Sequence, residues 1–390
     1  MNVIINGRRR HFRTVTFDRE CNSVILIDQR RLPHEFVLAA TRDYLETAHA
    51  ISEMWVRGAP AIAATAAYGV AQGALSFRRG SLRLFQSHVQ KVQDAIQSAR
   101  PTAVDPANAM AFVRSAMASG QTVAEQQALA LAAAEEFANA SVEQCRAIGR
   151  HGMKLIRSGM RILTHCNAGW LACVDIGTAT APIYAAHADG RQFHVFCDET
   201  RPRLQGASLT AWELRQQGIP HNIIADSAAG HLMQRGEIDL VIVGSDRTLG
   251  RTGEVANKIG TYTLAVLAHR HRIPFYVALP LSTLDWTLKS GAQIPIEERS
   301  ADEVLVATGR LLARRKNGGW KPEKQIIMGQ VRLANPGSTA RNPAFDVTPP
   351  ELVTGLITPA GIFKPTELWK NRSQLMGKAQ GIASAGCALH

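Results

Sequence analysis

Aromatic residues make up only 6% of this 390-residue chain, and no apolar run approaches the ~20 residues that a membrane-crossing helix needs. The first dozen residues, MNVIINGRRRHF, lack the apolar core of a secretory signal, which leaves the cytoplasm as the expected compartment. The six cysteines (Cys21, Cys145, Cys166, Cys173, Cys197 and Cys387) include no CxxC pair. That spacing excludes a zinc ribbon and fits reduced thiols better than a disulfide framework. Neither GxGxxG nor GxxxxGK[ST] occurs, so neither a dinucleotide nor a nucleoside triphosphate site is supported. Among thirteen histidines, only His269 and His271 stand two apart, and on a helix such neighbours do not share a face. No metal and no cofactor are expected.

What is present is an ordinary globular composition, 46% hydrophobic and 19% charged, at a length that favours more than one core. The net charge of +12 raises nucleic acid as a partner. The cations fall in small clusters without interleaved aromatics (Arg8-Arg9-Arg10, Arg30-Arg31, Arg314-Arg315-Lys316), so a field that attracts phosphorylated metabolites is the better reading.

The hydrophobic pattern changes period along the chain. Residues 1–35 are strand-like, with VIING and SVILIDQ. From about 36 to 140 the pattern is helical and Ala-rich, beginning with LAATRDYLETAHAISEM. Residues 141–160 read as a connecting helix. From 161 short apolar runs (RILTHC, FHVFCDE, HNIIAD, LVIVGSD, FYVALP) alternate with helical segments, the signature of a parallel sheet. The expected fold is therefore α/β. A Rossmann-like parallel-sheet C-terminal domain (161–371) follows a mainly helical N-terminal domain (1–140), itself opened by a small β-rich segment. The segment 311–341 is basic and Gly-bearing and reads as a surface excursion. Residues 372–390 read as a flexible tail.

Polar residues close strand after strand: Cys166-Asn167, Asp198-Glu199, Asp226-Ser227 and Asp246-Arg247. One such Asp is an ordinary cap for the next helix, but in an open parallel sheet successive strand ends converge on the ligand crevice. Cys166 precedes Asn167-Ala168-Gly169, which reads as the start of a helix, and a thiol at a helix N-terminus is acidified. Asp246 in an apolar crevice has its pKa raised and becomes a general acid near neutral pH. A Gly-rich loop after Asp246 leads through Asn257-Lys258 into a helical pattern. In the N-terminal part, Arg57-Gly58-Ala59-Pro60 begins a helix and offers an anion site as well as a plain helix start. Arg100, before Pro101, reads as a C-capping cation.

Long motifs carry a resemblance: LIDQRRLP, VRGAPAI, ARPTAVD, ILTHCNAG, DETRPRLQGASLTAWEL, VIVGSDRTLGRTGEVANKIGTYTLAV, PFYVALPLSTLDW, IPIEER and NPAFDVTP. Across roughly 20–365 the chain resembles the methylthioribose-1-phosphate isomerase family, which shares its fold with the alpha, beta and delta regulatory subunits of a translation-initiation guanine-nucleotide exchange factor. The resemblance implies a sugar 1-phosphate substrate, a homodimer through the C-terminal domain, and metal-free acid–base chemistry. It puts the acid at Asp246 and a proton carrier or charge stabiliser at Cys166. Arg57, Gly58, Ala59, Arg100, Gln205, Asn257 and Lys258 become the substrate-holding positions. Asp105 stands where the pattern commonly has Asn, and Trp170 and Cys173 are bulkier than the pattern, which bears on the sugar substituent. 5-Deoxyribose 1-phosphate and ribose 1,5-bisphosphate are alternative substrates. A non-catalytic regulatory subunit is the alternative from another class.

Overall fold

The computed structural model describes residues 1–100, 104–315, 319–322 and 326–377. Pro101, Thr102 and Ala103 of the ARPTAVD motif, Lys316 of the last basic cluster, and the expected tail beyond 377 lie outside the described residues. Residues 372–377 form a helical turn, and Leu375 in it is buried.

The chain opens with a hairpin, Asn2–Ile5 against Arg8–His11, and a three-stranded antiparallel sheet of Val15–Asp18, Ser23–Ile27 and Leu38–Thr41. The third strand corrects the sequence reading, which ran a helix through Leu38–Thr41. Pairing with the buried strand Ser23–Ile27 claims these residues, and Asp43 starts the helix later by accepting from the Glu46 amide. Five helices follow: α1 (Tyr44–Ser52), α2 (Ala59–Ser76), α3 (Leu82–Ala99), α4 (Val104–Met117) and α5 (Val123–Gly152). α2 is the axis of this half. Its small side chains let α1, α3, α4 and α5 pack around it, and it is buried from Ala61 to Ala74.

α5 begins at a capping box, with Thr122 accepting from the Glu125 amide, and runs 30 residues, ~45 Å at 1.5 Å per residue. It covers the stretch where the sequence suggested a separate connecting helix. Its first turns pack on α2 and α4 and its last on α6 (Ala181–Ala188) and the main sheet.

The strands of the main sheet are β1 (Arg161–Thr164), β2 (His194–Asp198), β3 (His221–Ile224), β4 (Leu240–Val243), β5 (Phe275–Ala278), β6 (Gly355–Thr358) and β7 (Gly361–Phe363). Their spatial order is β3-β2-β1-β4-β5-β6-β7, parallel except for the β6–β7 hairpin. The parallel part is the 3-2-1-4-5-6 order of a Rossmann-type sheet. Its order reverses between β1 and β4, the place where such sheets bind ligands. Cores lie on both faces, one built on Ile162, Trp170 and Ile242, the other on Leu163, Val241 and Val243. Two covered faces explain why LVIV carries no polar alternation; each such side chain contributes about 1.5–3 kcal/mol by leaving water. Three further helices connect the strands: α7 (Ala211–Gln216), α8 (Ala228–Gln234) and α9 (Thr261–His271).

A second, four-stranded sheet grows from the end of β4, ordered Leu284–Asp285, Arg247–Leu249, Val255–Lys258, Phe345–Thr348. Asn257 and Lys258 are therefore on a strand, not in a loop. The excursion carries two antiparallel ribbons, Val306–Arg310 with Met328–Arg332 and Leu312–Arg314 with Trp320–Pro322. Among the described residues no helix is long and apolar enough to cross a membrane.

Candidate active site

Cys166 and Asp246 follow the two strands that flank the reversal of order, β1 and β4. Cys166 has φ +65°, a left-handed conformation that costs a non-glycine residue about 1–3 kcal/mol and persists only where its surroundings hold it. The hold is visible. The Cys166 amide donates to Thr200 Oγ1 at 2.8 Å, and its carbonyl accepts from Thr210 Oγ1 at 2.7 Å. Thr210 ends a π-helical turn, Gly206–Thr210, that leads into α7.

Directly after Cys166 the chain starts no α-helix; it makes a 3₁₀ turn at Trp170–Ala172 well before α6. Glu213, fully buried on α7, organises this stretch. It accepts from Asn167 Nδ2 (2.9 Å), the amides of Trp170 (3.0 Å) and Leu171 (3.1 Å), and Tyr184 Oη (2.7 Å). The expectation of an acidified thiol is corrected accordingly. No helix dipole begins at Cys166, and burial pushes its pKa up, with the Lys258 ammonium as the main opposing influence.

Asp246 is also pushed up, by burial first, while Lys258 and Arg100 pull it down and Glu297 raises it. Asp246 is exposed by area, and Cys166 and Arg57 are partly so, yet desolvation dominates all three. Residues that water can touch but protein surrounds line the floor of a cleft. Lys258 donates Nζ to the Ala344 carbonyl at 2.8 Å and lies 4.6 Å over the Phe345 ring. Asn257 beside it is buried and donates to Thr261 Oγ1 at 3.0 Å.

The helical half closes the cleft. Gly58 caps α2 at φ +94° against the backbone of Ala172, and Ala59 is the first residue of the helix. Burial pulls the Arg57 guanidinium down to about 10; Arg203 and Arg299 press the same way, and Cys166 and Glu303 oppose. Arg57 has no hydrogen-bonded carboxylate among the described residues, which leaves a positive group with room for an anion. Gln205 is buried with Oε1 unpartnered among the described residues. Charge effects thus bring Arg57 to Cys166, and Lys258 and Arg100 to Asp246. The fold does not bring Ala59, Gln205 or Asn257 into hydrogen bonds with these groups among the described residues; Asn257 turns its amide to Thr261 instead.

Sequence reasoning did not single out two arginines beside Arg57. Arg203 and Arg299 share Glu303, at 2.6 and 2.7 Å, and Arg299 reaches Met54 of the helical half. They lie in the DETRPRLQGAS and IPIEER motifs, so the signal was available. Asp105, in the first turn of α4, is buried with Oδ2 unpartnered; burial, then the Asp246 charge, push it up to about 7. His165, Asp198 and Asp226 bring donor atoms within 4.8 Å of one another, a spacing a metal could use. Asp198 Oδ1 has no hydrogen-bond partner among the described residues, but both His165 nitrogens are engaged and leave no ring lone pair for an ion. His165 spans Asp198 and the Ile259 carbonyl, and the Asp226 oxygens accept the Thr200 and Arg201 amides, so the group does not fit an ion as it stands.

The model of the initiation factor 2 subunit family matches residues 55–365. The methylthioribose-1-phosphate isomerase of Brucella anthropi is 47% identical over 367 residues, covering 92% of this chain and 95% of its own. The solved structure of 5-methylthioribose 1-phosphate isomerase from Pyrococcus horikoshii superposes with a TM-score of 0.82 at 38% identity, covering 95% of this chain and 97% of that one. That of translation initiation factor eIF-2B, subunit delta, from A. fulgidus gives 0.79 at 38% identity, covering 94% and 100%. The chain belongs to the initiation factor 2 subunit family and, within it, to the methylthioribose-1-phosphate isomerases.

Proposed function

We propose that this protein is an aldose–ketose isomerase that converts 5-methylthioribose 1-phosphate to 5-methylthioribulose 1-phosphate in methionine salvage. Fold alone does not choose between this and a regulatory subunit, since both names occur on the same architecture. The observation that carries the reading is electrostatic. One ammonium, Lys258, acts on both a thiol and a carboxyl that close neighbouring strands at the switch point. A surface kept only for assembly has no use for that trio at the floor of a cleft.

In this reading Arg57, the Gly58 and Ala59 amides at the head of α2, Arg100, Gln205, Asn257 and Lys258 hold the sugar phosphate. Phosphate on the anomeric oxygen prevents opening as a free hemiacetal, so the ring C1–O bond has to break with acid assistance. Asp246, its pKa raised by burial, is the group that supplies a proton to the ring oxygen. Hydrogen then passes from C2 to C1, and the C2 hydroxyl gives up its proton as the ketone forms. Two routes are open: proton transfer through a phosphoenolate with Cys166 as carrier, or a hydride shift with Cys166 stabilising the developing charge. Burial keeps Cys166 as the neutral thiol, the form a hydride shift tolerates and an enolisation must first ionise.

The homodimer, the cytoplasmic location and the division into a helical and a Rossmann-like domain belong to this proposal. Purified protein, without added metal, given methylthioribose 1-phosphate, 5-deoxyribose 1-phosphate and ribose 1,5-bisphosphate tests it through the ranking of kcat/KM. Deuterium at C2 that is retained at C1 supports the hydride route, and washout to solvent supports the phosphoenolate. Turnover of none of the three sugars would return the regulatory subunit to first place.

A further inference from the structure

His165 precedes Cys166, and only 2% of it is exposed. Its Nδ1 is 2.8 Å from Asp198 Oδ2 and its Nε2 is 2.8 Å from the Ile259 carbonyl. A carbonyl oxygen only accepts, so Nε2 carries a hydrogen. A second proton then has to lie between Nδ1 and Asp198, on whichever atom, because an imidazole lone pair facing a carboxylate would repel. The ring is gripped as well as bonded: a Cβ on Gly260 would meet Cε1 at 2.9 Å, and Gly260 holds φ +104°.

The bridge adjoins both groups of the site. Cys166 follows His165, and Ile259, whose carbonyl is held, follows Lys258. We propose that His165 is a positioning residue: by bridging Asp198 and the Ile259 carbonyl it sets Lys258 relative to Cys166, and it does so only while the proton between Nδ1 and Asp198 is present. This rests on the reading that Lys258 and Cys166 serve the isomerase reaction.

The groups that face the bridge are acids. Asp198 and Asp226 act on His165, Glu199 acts on Asp198, and His165 in turn acts on Asp346, which accepts the Gly260 and Tyr262 amides. Burial draws His165 down, but the hydrogen bond and charge of Asp198, the Ile259 carbonyl and the charge of Asp226 more than offset it. Asp198 Oδ1 has no partner among the described residues, so Oδ2 carries this carboxyl's only hydrogen bond. Once the bridging proton is lost at high pH, the ring has one hydrogen for two acceptors, so the bridge opens at one end and Lys258 is no longer set relative to Cys166.

The test is ¹⁵N-imidazole NMR of the full-length protein, with the His165 signals assigned by their loss in His165→Gln, beside pH profiles of kcat/KM. The wild type is expected to keep Nε2–H and the bridging proton above the ordinary imidazole range. Asp198→Asn is expected to show a ring nitrogen without hydrogen at pH 7. The Asn amide can donate to Nδ1 at any pH, so Asp198→Asn should remove the alkaline limb of kcat/KM that the bridging proton causes. A merely structural role would lower kcat/KM evenly at all pH. A limb that persists in Asp198→Asn, or a wild-type ring whose Nε2 lacks hydrogen, overturns the proposal. The NMR arm needs no turnover, so failure of the isomerase reading remains distinguishable.

Discussion

Gly58 at the head of α2 and Ala172 beyond Cys166 meet so closely that a Cβ on Gly58 would sit 2.3 Å from the Ala172 carbonyl oxygen. This contact joins the helical half to the stretch that carries the thiol. At φ +94° any L side chain there is strained as well as crowded. Gly58→Ala is expected to lower kcat/KM at least 100-fold, through displacement of Arg57 and the α2 amides, and to cost about 1–3 kcal/mol of stability. Steady-state kinetics with thermal unfolding check this, and wild-type kcat/KM in the variant would refute the close contact.

Asp105 gives a pH-dependent stability. Its folded pKa is raised to about 7 from an ordinary 3.8. The folded protein therefore holds a proton that the unfolded chain releases, and stability falls as pH rises from about 4 to 7. Asp105→Asn removes that penalty. The variant is expected to match the wild type at pH 4 and to exceed it at pH 8, by at most about 4 kcal/mol. Urea unfolding at the two pH values is the measurement. An equal difference at both would show that Asp105 does not titrate between them.

Glu213 is buried with four donors pointing at one carboxylate. Glutamine offers one acceptor oxygen and sets an NH₂ against donors. Glu213→Gln is expected to destabilise by about 3 kcal/mol or more, since each unmet buried donor costs about 1–3 kcal/mol. Denaturant midpoints decide, and a loss under about 1 kcal/mol contradicts the role.

Cys166 should react as a desolvated thiol, partly exposed by area but surrounded by protein. With its pKa raised above the usual range, alkylation by iodoacetamide is expected to be slow at pH 7 and still rising beyond pH 9. Exposed Cys21 serves as the reference in the same sample, read site by site by mass spectrometry. Lys258→Met removes the main lowering influence and should slow Cys166 further. A rate that levels off below pH 8 would restore the acidified thiol.

That thiol shows where sequence reading ran out. The position of Cys166 at a strand end was legible because RILTHC is a compact apolar run, and so were LVIVGSD and Asp246. The acidity was not, because it depended on a helix that Glu213 replaces with a turn. Glu213 itself sits in WELR, where helical spacing suggests a solvated charge; only the packing of α7 on Trp170 and Tyr184 buries it. The strand Val255–Lys258 was invisible for a related reason. Of its two partners, Arg247–Leu249 is a hairpin neighbour, but Phe345–Thr348 lies about 90 residues away, and no local pattern carries that pairing. Arg100 is the C-cap of α3, at the helix end where the sequence placed it, and its charge also acts on Asp246, which local spacing did not show.

The most direct measurement is turnover of methylthioribose 1-phosphate by the wild type, Cys166→Ser and Asp246→Asn, each checked for native unfolding. The wild type is expected to form the ketose 1-phosphate without added metal, and each variant to lose at least 100-fold in kcat, in the range general acid–base groups contribute. A folded Asp246→Asn variant that isomerises at the wild-type rate would contradict the assignment of the acid, and with it the mechanism built on the two strand ends.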